Sequence, residues 1–559
     1  MPNLPSEVDQ LAETFWDRFL AVSPITATLT GDDRFDDRLP DPGPEGRAQA
    51  RELAVWVAEA ARAIPLEGLT VEERITRDML VVLGDLFIEE DDLRVDILQA
   101  VDQMGGPQTF LPQLATLQRT DTPERLERFE ARLHAYPAYM AAHVELIREA
   151  LATGMTAPRI VAERTIAQME RMAATPAEQS PVPMILAKLA KADRERITKI
   201  IRDETMPADA AYLEALKGAY LAATRTDPGL WSAPKGDDLY RLFIRHWTTL
   251  EADPAEVHQI GLDELADIEA ERRVIARAAG FGDDTAAYRE SLTVDPANIP
   301  GSREALVERA LEDIERAIAA SASHFGRLPN ATCRVLPVEE YKERDAPFAY
   351  YYPPTADGSR PGTYYVNTYD LPSRLFSRLA SVTFHEATPG HHFQIALEVE
   401  NTSMNRFRRF GARMLGHAYI EGWGLYAERF ADEIGLYRNE AERFGMLDAQ
   451  AWRAGRLVTD TGMHALRWTR QQSVDYLLKD VGLSQTDATI ETDRYIAWPG
   501  QALTYKLGQR QIEKLRKELE ARDGAGFDLR AFHDEILAHG SLSLATLARE
   551  LPNWVTSRA

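Results

Sequence analysis

The chain has 559 residues, more than one compact core usually holds, so two or three subdomains are expected. Apolar residues make up 45 % and charged residues 27 %, ordinary values for a globular enzyme, but 88 Asp and Glu against 64 Lys and Arg leave a formal charge of −24. So acidic a balance argues against nucleic acid or an anionic membrane as the main partner, because both call for a basic surface.

The N-terminal stretch "MPNLPSEVDQLAETFWDRFL" carries acids where a signal peptide needs a basic start and an apolar run, so a cytoplasmic location is expected. Within it Val8, Leu11, Phe15, Phe19 and Leu20 fall on one helical stripe. The most apolar segment, "MLVVLGDLFI" (79–88), is too short to span a bilayer. Helical periodicity continues through "TPERLERFEARLHAYPAYMAAHVELIREAL" and "DPAEVHQIGLDELADIEAERRVIARAA", each opened by a capping residue. Two stretches interrupt it: the Pro/Gly-rich connection 226–238, and 281–304, which has room for one short helix. The chain is therefore divided into an N-terminal helical region, 1–230, and a second helical region, 231–559.

The one β signal lies in "CRVLPV" (333–338), "FAYYYPP" (348–354) and "TYYVNTY" (363–369), the last two joined by the turn-rich "TADGSRPG" as a hairpin. The lone cysteine, Cys333, excludes an intrachain disulfide and a thiolate metal cage, and reads as a buried structural residue. A small sheet, about 331–369, is thus expected just ahead of "TFHEATPGHHFQ" (383–394), where helix resumes.

That segment resembles the start of an HExxH zinc motif, but Pro389 stands where the second histidine belongs. On a straight helix His385 and His392 share a face yet lie roughly 10 Å apart, and His391 is turned away by about 120°. Neither pair could then hold one ion with bonds of roughly 2.1 Å. Pro389-Gly390 makes a straight helix a poor expectation. A bulge looping out two residues carries His391 to meet His385, with His392 the alternative. A helix that runs straight, or merely ends at Pro389, forms no site.

Glu421 and Glu428 of "HAYIEGWGLYAERFADEIG" (417–435) share a helical face, and the Gly-Trp-Gly after Glu421 leaves room for close approach. A His, His, Glu set with an open fourth position suits one catalytic Zn2+ per chain, with Glu386 as general base on a metal-bound water. Candidates for stabilising an oxyanion are Tyr505, Tyr495 and His464, with Tyr505 favoured because Pro499-Gly500 starts a new helix ahead of it. Arg494 and Arg510 are candidates for gripping a substrate carboxylate.

"EGWGLYAE" (421–428) resembles the Glu-Gly-x-small-x-Tyr-x-Glu segment of gluzincin aminopeptidases. That resemblance implies Glu421 as third zinc ligand, Tyr426 as a structural neighbour and Glu428 as the group that orients a histidine. In gluzincins an edge strand ahead of the zinc helix takes the substrate backbone as an added strand, and the resemblance implies that "TYYVNT", with Tyr365 and Asn367, serves either in that way or as a capped structural strand. "HEATPGHH", "EGWGLYAE", "LVTDTGMHALRWTRQQ" and "PGQALTYKLGQ" together resemble the bacterial family known as domain of unknown function 885. The resemblance implies a mainly α, multi-helix, two-lobed zincin-like peptidase with its metal site in 385–421. The expected reaction is hydrolysis of an amide in a peptide or peptide-like small molecule. The alternatives are a metal-dependent amidase or esterase on other substrates, and an inactive homologue that binds a peptide or protein.

Overall fold

The computed structural model describes residues 6–339, 343, 346–355 and 360–556. It is mainly helical, with one small sheet, and the chain divides into two compact units. The first comprises Met1–Leu242, Met463–Gln471 and Ile490–Pro499; the second comprises Phe243–Gly462, Gln472–Thr489 and Gly500–Ala559. The division thus falls at Leu242 rather than at 230, and two late segments belong to the first unit. No change of period marks those returns, since helices of both units share one composition.

In the first unit, helix α1 (Glu7–Val22) buries Val8, Phe15 and Leu20, while Leu11 and Phe19 are half-buried. Ser6 caps it by accepting from the Asp9 N–H, which satisfies a donor the helix itself cannot. The long helix α2 (Pro123–Thr153) starts in the same way from Thr122. The apolar segment 79–88 lies inside a helix with acidic ends, and no helix among the described residues is long and apolar enough to cross a membrane.

In the second unit, α3 (Pro254–Ala278) is capped by Asp253, and the irregular stretch 281–304 contains the one short helix expected of it, Thr285–Val294. Helix α4 (Arg303–Ser321) leads into strands β1 (Cys333–Pro337), β2 (Ala349–Tyr352) and β3 (Gly362–Val366). Their order is β1-β3-β2, with β1 parallel and β2 antiparallel to β3. The middle of the hairpin loop, 356–359, lies outside the described residues. Both edges of β3 are therefore already paired, and it cannot take a substrate as an added strand. Of the two readings of "TYYVNT", β3 follows the structural strand, and the edge role considered for Tyr365 and Asn367 falls.

Leu306, Ala310 and Ile314 of α4 meet Val335, Tyr364 and Val366 of the sheet and Leu379 of the next helix in one apolar cluster. Each Leu, Ile or Val among them contributes roughly 1.5–3 kcal/mol when fully buried. This core seats helix α5 (Phe376–Glu386), and α6 (His391–Glu400) follows after a four-residue break. Beyond them run α7 (His417–Glu433), α8 (Glu440–His464) and α9 (Thr504–Asp523). Helices α7 and α9 cross with backbones in contact: a Cβ on Gly422 would stand 2.5 Å from the Gly508 Cα. Only glycine at both positions permits that approach.

Candidate metal centre

The chain between α5 and α6 departs from the expected bulge. Helix α5 ends at Glu386, Ala387 leaves helical geometry (φ −108°, ψ −106°), and Thr388–Pro389 is a cis peptide. Gly390 follows with ψ −130°, and α6 restarts at once with His391. A Cβ on Gly390 would collide with the final carbonyls of α5, its distance to the His385 carbonyl carbon being 2.6 Å. Trp423 of α7 donates its indole N–H to the Pro389 carbonyl at 2.8 Å and pins the break. The helix is interrupted and re-aimed rather than bulged, because proline offers no amide to continue the ladder.

The re-aimed helix brings the His391 ring to 4.6 Å from the His385 ring, at 79°. Glu421 Oε2 faces both imidazoles, 3.4 Å from His385 Nε2 and 3.5 Å from His391 Nε2. Two ligand atoms on one tetrahedral zinc, each about 2.1 Å from it, stand roughly 3.4 Å apart. The donor set therefore fits a divalent cation. One observation agrees: Glu421 Oε2 is buried without a hydrogen-bond partner. Among the described residues this is the one group of three His, Cys, Asp or Glu side chains so placed.

A second layer fixes His385. Its Nδ1 is 2.8 Å from Glu428 Oε1, and Glu428 also accepts from Ser381 Oγ (3.0 Å) and Gln450 Nε2 (3.1 Å). Lys506 donates to Gln450 Oε1 at 2.8 Å, so a buried cation backs the chain. Burial disfavours the His385 imidazolium, but Glu421 and Glu428 outweigh it and raise its pKa to about 10. Burial likewise works against the Glu421 carboxylate, yet the two imidazoles hold it well below the usual range. A metal ion held by this cluster would have to displace the His385 proton, so its affinity would rise with pH. Gly424 makes the ring's position possible, since a Cβ there would lie 2.6 Å from His385 Cε1.

His392 is no ligand in this arrangement. Its Nδ1 pairs with the Tyr351 hydroxyl and its Nε2 with the Ala331 carbonyl, both at 2.9 Å, so it ties α6 to the sheet region. His417 is packed against Trp247 and His246, and burial lowers its pKa to about 4. Glu386 is half-buried, and no hydrogen bond or ion pair ties its carboxylate to another described residue. Its charge acts on His385, Cys333, Tyr351 and Tyr364. Cys333 is half-buried, with its thiol pushed up to about 12 by burial, which leaves little thiolate.

Tyr505 of α9 lies beside the cluster, its ring 6.4 Å from the His385 ring. The other oxyanion candidates belong to the first unit and are engaged there. His464 Nδ1 accepts from the Leu230 N–H at 3.2 Å, and its Nε2 pairs with the Tyr495 carbonyl at 2.9 Å. Arg494, in the same unit, stands 3.7 Å from Glu491, and exposed Arg510 is ion-paired with Glu264. Asn367 is fully buried and donates to three backbone carbonyls, those of Glu343, Ala346 and Pro347, so it organises a loop. Tyr365 stacks on Tyr350 at 4.9 Å.

Sequence reasoning missed Ser381, Gln450 and Lys506, and also Arg453 and Arg456 of α8. The available signal was "AQAWRAGRLV", two arginines three apart in a run with no acid to pair them.

The model of a bacterial protein family of unknown function, DUF885, matches residues 24–551. No curated protein matches the chain. Among solved structures, the crystal structure of a "putative lipoprotein" from Colwellia psychrerythraea superposes with a TM-score of 0.92 at 28 % identity, covering 99 % of this chain and 100 % of that one. A "putative lipoprotein of unknown function" from Shewanella oneidensis superposes with a TM-score of 0.77 at 19 % identity, covering 97 % and 99 %. The second likeness concerns the fold alone.

Proposed function

The chain belongs to the DUF885 family of bacterial proteins of unknown function, and we propose that it is a zinc-dependent hydrolase of amide bonds in peptides or peptide-like small molecules. The observation that carries this reading is the spacing of Glu421 Oε2 from the two imidazoles, 3.4 and 3.5 Å, which suits one tetrahedral ion. His385, His391 and Glu421 would hold it. Bound there, a divalent cation supplies a Lewis acid that polarises an amide carbonyl and acidifies water.

Glu386, next in sequence to a ligand and tied to no other described residue, takes the proton from the attacking water and delivers it to the leaving amine. Glu428 holds His385 by Nδ1 and leaves Nε2 toward the cluster. The Tyr505 hydroxyl, which makes no hydrogen bond to a described residue, donates to the oxyanion that forms as the carbonyl is attacked. In this reading the protein is a gluzincin-like, zincin-type peptidase whose second histidine is delivered by a helix break instead of the HExxH spacing.

Metal analysis joined to a Glu386→Gln variant tests the proposal. The purified protein is expected to hold about one zinc per chain, and the variant to keep the metal but lose roughly 10²- to 10⁴-fold in rate. No stoichiometric metal, or a variant as fast as wild type on a mixed peptide library, removes the mechanism. The sequence favours a cytoplasmic location, while the relative from Colwellia psychrerythraea is described as a "putative lipoprotein", which favours an anchored or secreted one. Cell fractionation separates the two.

A further inference from the structure

On helix α8, Gln450 faces Glu428, Arg453 follows three residues on and Arg456 three beyond that, so the face that supports the metal cluster continues into two guanidinium groups. Arg453 is 8 % exposed, and its Nε has no hydrogen-bond partner. One long bond, 3.3 Å from Nη1 to the Ala449 carbonyl, is its contact with an acceptor. Its guanidinium lies 4.8 Å from the Trp452 ring centre and 5.9 Å from that of Tyr505. Arg456 lies over the same two rings at 4.6 and 4.3 Å. Arg378 of α5 adds a third cation, 5.5 Å from Trp452 and 4.8 Å from Phe348.

Three arginines therefore converge on one aromatic patch in a chain whose net charge is strongly negative. Arg378 is ion-paired with Asp487 at 3.7 Å, and Glu428 acts on Arg453 through its charge, but the hydrogen bonds of the Glu428 carboxylate go to His385, Ser381 and Gln450 rather than to that guanidinium. A buried guanidinium with donors to spare is costly unless an anion completes it. The planar fork suits a carboxylate, which it can grip with two parallel bonds. Access exists, because Trp452 and Arg378 are partly exposed.

We propose that Arg453, flanked by Arg456 and Arg378, binds a carboxylate of the substrate close to the bond being cleaved. The proposal rests on the hydrolase reading of the metal cluster. Tyr505 joins the two places, with its ring 6.4 Å from the His385 ring and under the Arg456 guanidinium. A peptide advances at most about 3.5 Å per residue, so the carboxylate belongs within about two residues of the scissile amide. A C-terminal carboxylate and an acidic side chain share that chemistry.

Calorimetry on the full chain with four tripeptides tests this: Ala-Ala-Ala as the free acid, the same as its C-terminal amide, and Ala-Glu-Ala and Ala-Gln-Ala as amides. An ion-supported bond of this kind corresponds to about ten- to hundredfold in affinity. A free acid that binds that much tighter than its amide identifies the C-terminal source, and a Glu amide that outbinds its Gln counterpart identifies the side chain. Either preference is expected to vanish in Arg453→Met, to persist in part in Arg453→Lys, and to weaken in the half-exposed Arg378→Gln. Should Arg453→Met fail to fold, the other two variants carry the comparison. Equal or absent binding of all four peptides, or variants that weaken acid and amide alike, overturns the proposal. Hydrolysis with no carboxylate preference overturns it while leaving the hydrolase reading standing. A binding preference with no hydrolysis does the reverse.

Discussion

Nδ1 of His385 lies 2.8 Å from Oε1 of Glu428, so the imidazole is anchored on one side and presents Nε2 to Glu421 on the other. Glu428 is itself held by Ser381 and by Gln450, which Lys506 holds in turn. Converting Glu428 to Gln keeps the shape but removes the charge that makes His385 a strong donor. Zinc affinity is expected to fall about 10- to 100-fold with the fold retained, as measured by competition with a chelator. Unchanged affinity would show that Glu428 does not orient a ligand.

Gly424, one turn before Glu428 on α7, tests the same ring. A Cβ there would stand 2.6 Å from Cε1, 2.8 Å from Nε2 and 2.9 Å from Nδ1 of His385. Something must shift, and the Glu428 bond resists movement of the ring. Gly424→Ala is expected to cost roughly 1–3 kcal/mol in stability and to abolish stoichiometric zinc. Gly526→Ala, which meets nothing within 4 Å, serves as the neutral control. If Gly424→Ala behaves like that control in metal content and melting temperature, the close approach is not what sets the site.

The neighbouring histidines have opposite duties. His391 faces Glu421, whereas His392 spends both ring nitrogens on Tyr351 and Ala331. His391→Gln is expected to lose zinc with little loss of stability. His392→Gln is expected to keep zinc and lose roughly 1–2 kcal/mol, the worth of one or two buried hydrogen bonds. Metal content and urea unfolding on both variants decide the assignment, and zinc loss in the second alone reverses it.

The sequence made this His-His-Glu cluster legible because metal chemistry restricts residue type: "HEATPGHH" and "EGWGLYAE" offer few other donors. Its helices were legible by period and cap, as at Ser6, Thr122 and Asp253. Strand order was not. "TYYVNTY" reads alike as an edge or a centre, and only the parallel partner β1 decides it. The tyrosines and arginines were equally ambiguous, since nothing local distinguishes Arg510, paired on the surface with Glu264, from Arg453, buried against Trp452. Nor could spacing separate a bulge from a break. That depended on Trp423, 34 positions along the chain, closing on the Pro389 carbonyl.

His464, a candidate for the chemistry by sequence, instead predicts how the first unit responds to acid. Its Nδ1 accepts from the Leu230 N–H and its Nε2–H donates to the Tyr495 carbonyl, so the neutral ring is fully used. A second proton would set N–H against N–H, and burial already lowers the folded pKa to about 4. The unfolded chain takes up that proton near pH 6.5, so between about 6.5 and 4 the unfolded state binds more protons and stability is lost as pH falls. At roughly 1.4 kcal/mol per unit, the loss approaches about 3 kcal/mol at pH 4. The amide side chain of a His464→Gln variant does not titrate, so wild type should be the more stable at pH 7.5 and its lead should shrink on acidification. Urea midpoints at pH 7.5, 6 and 4.5 read this directly, and a constant gap between the two proteins would refute the neutral, doubly bonded ring.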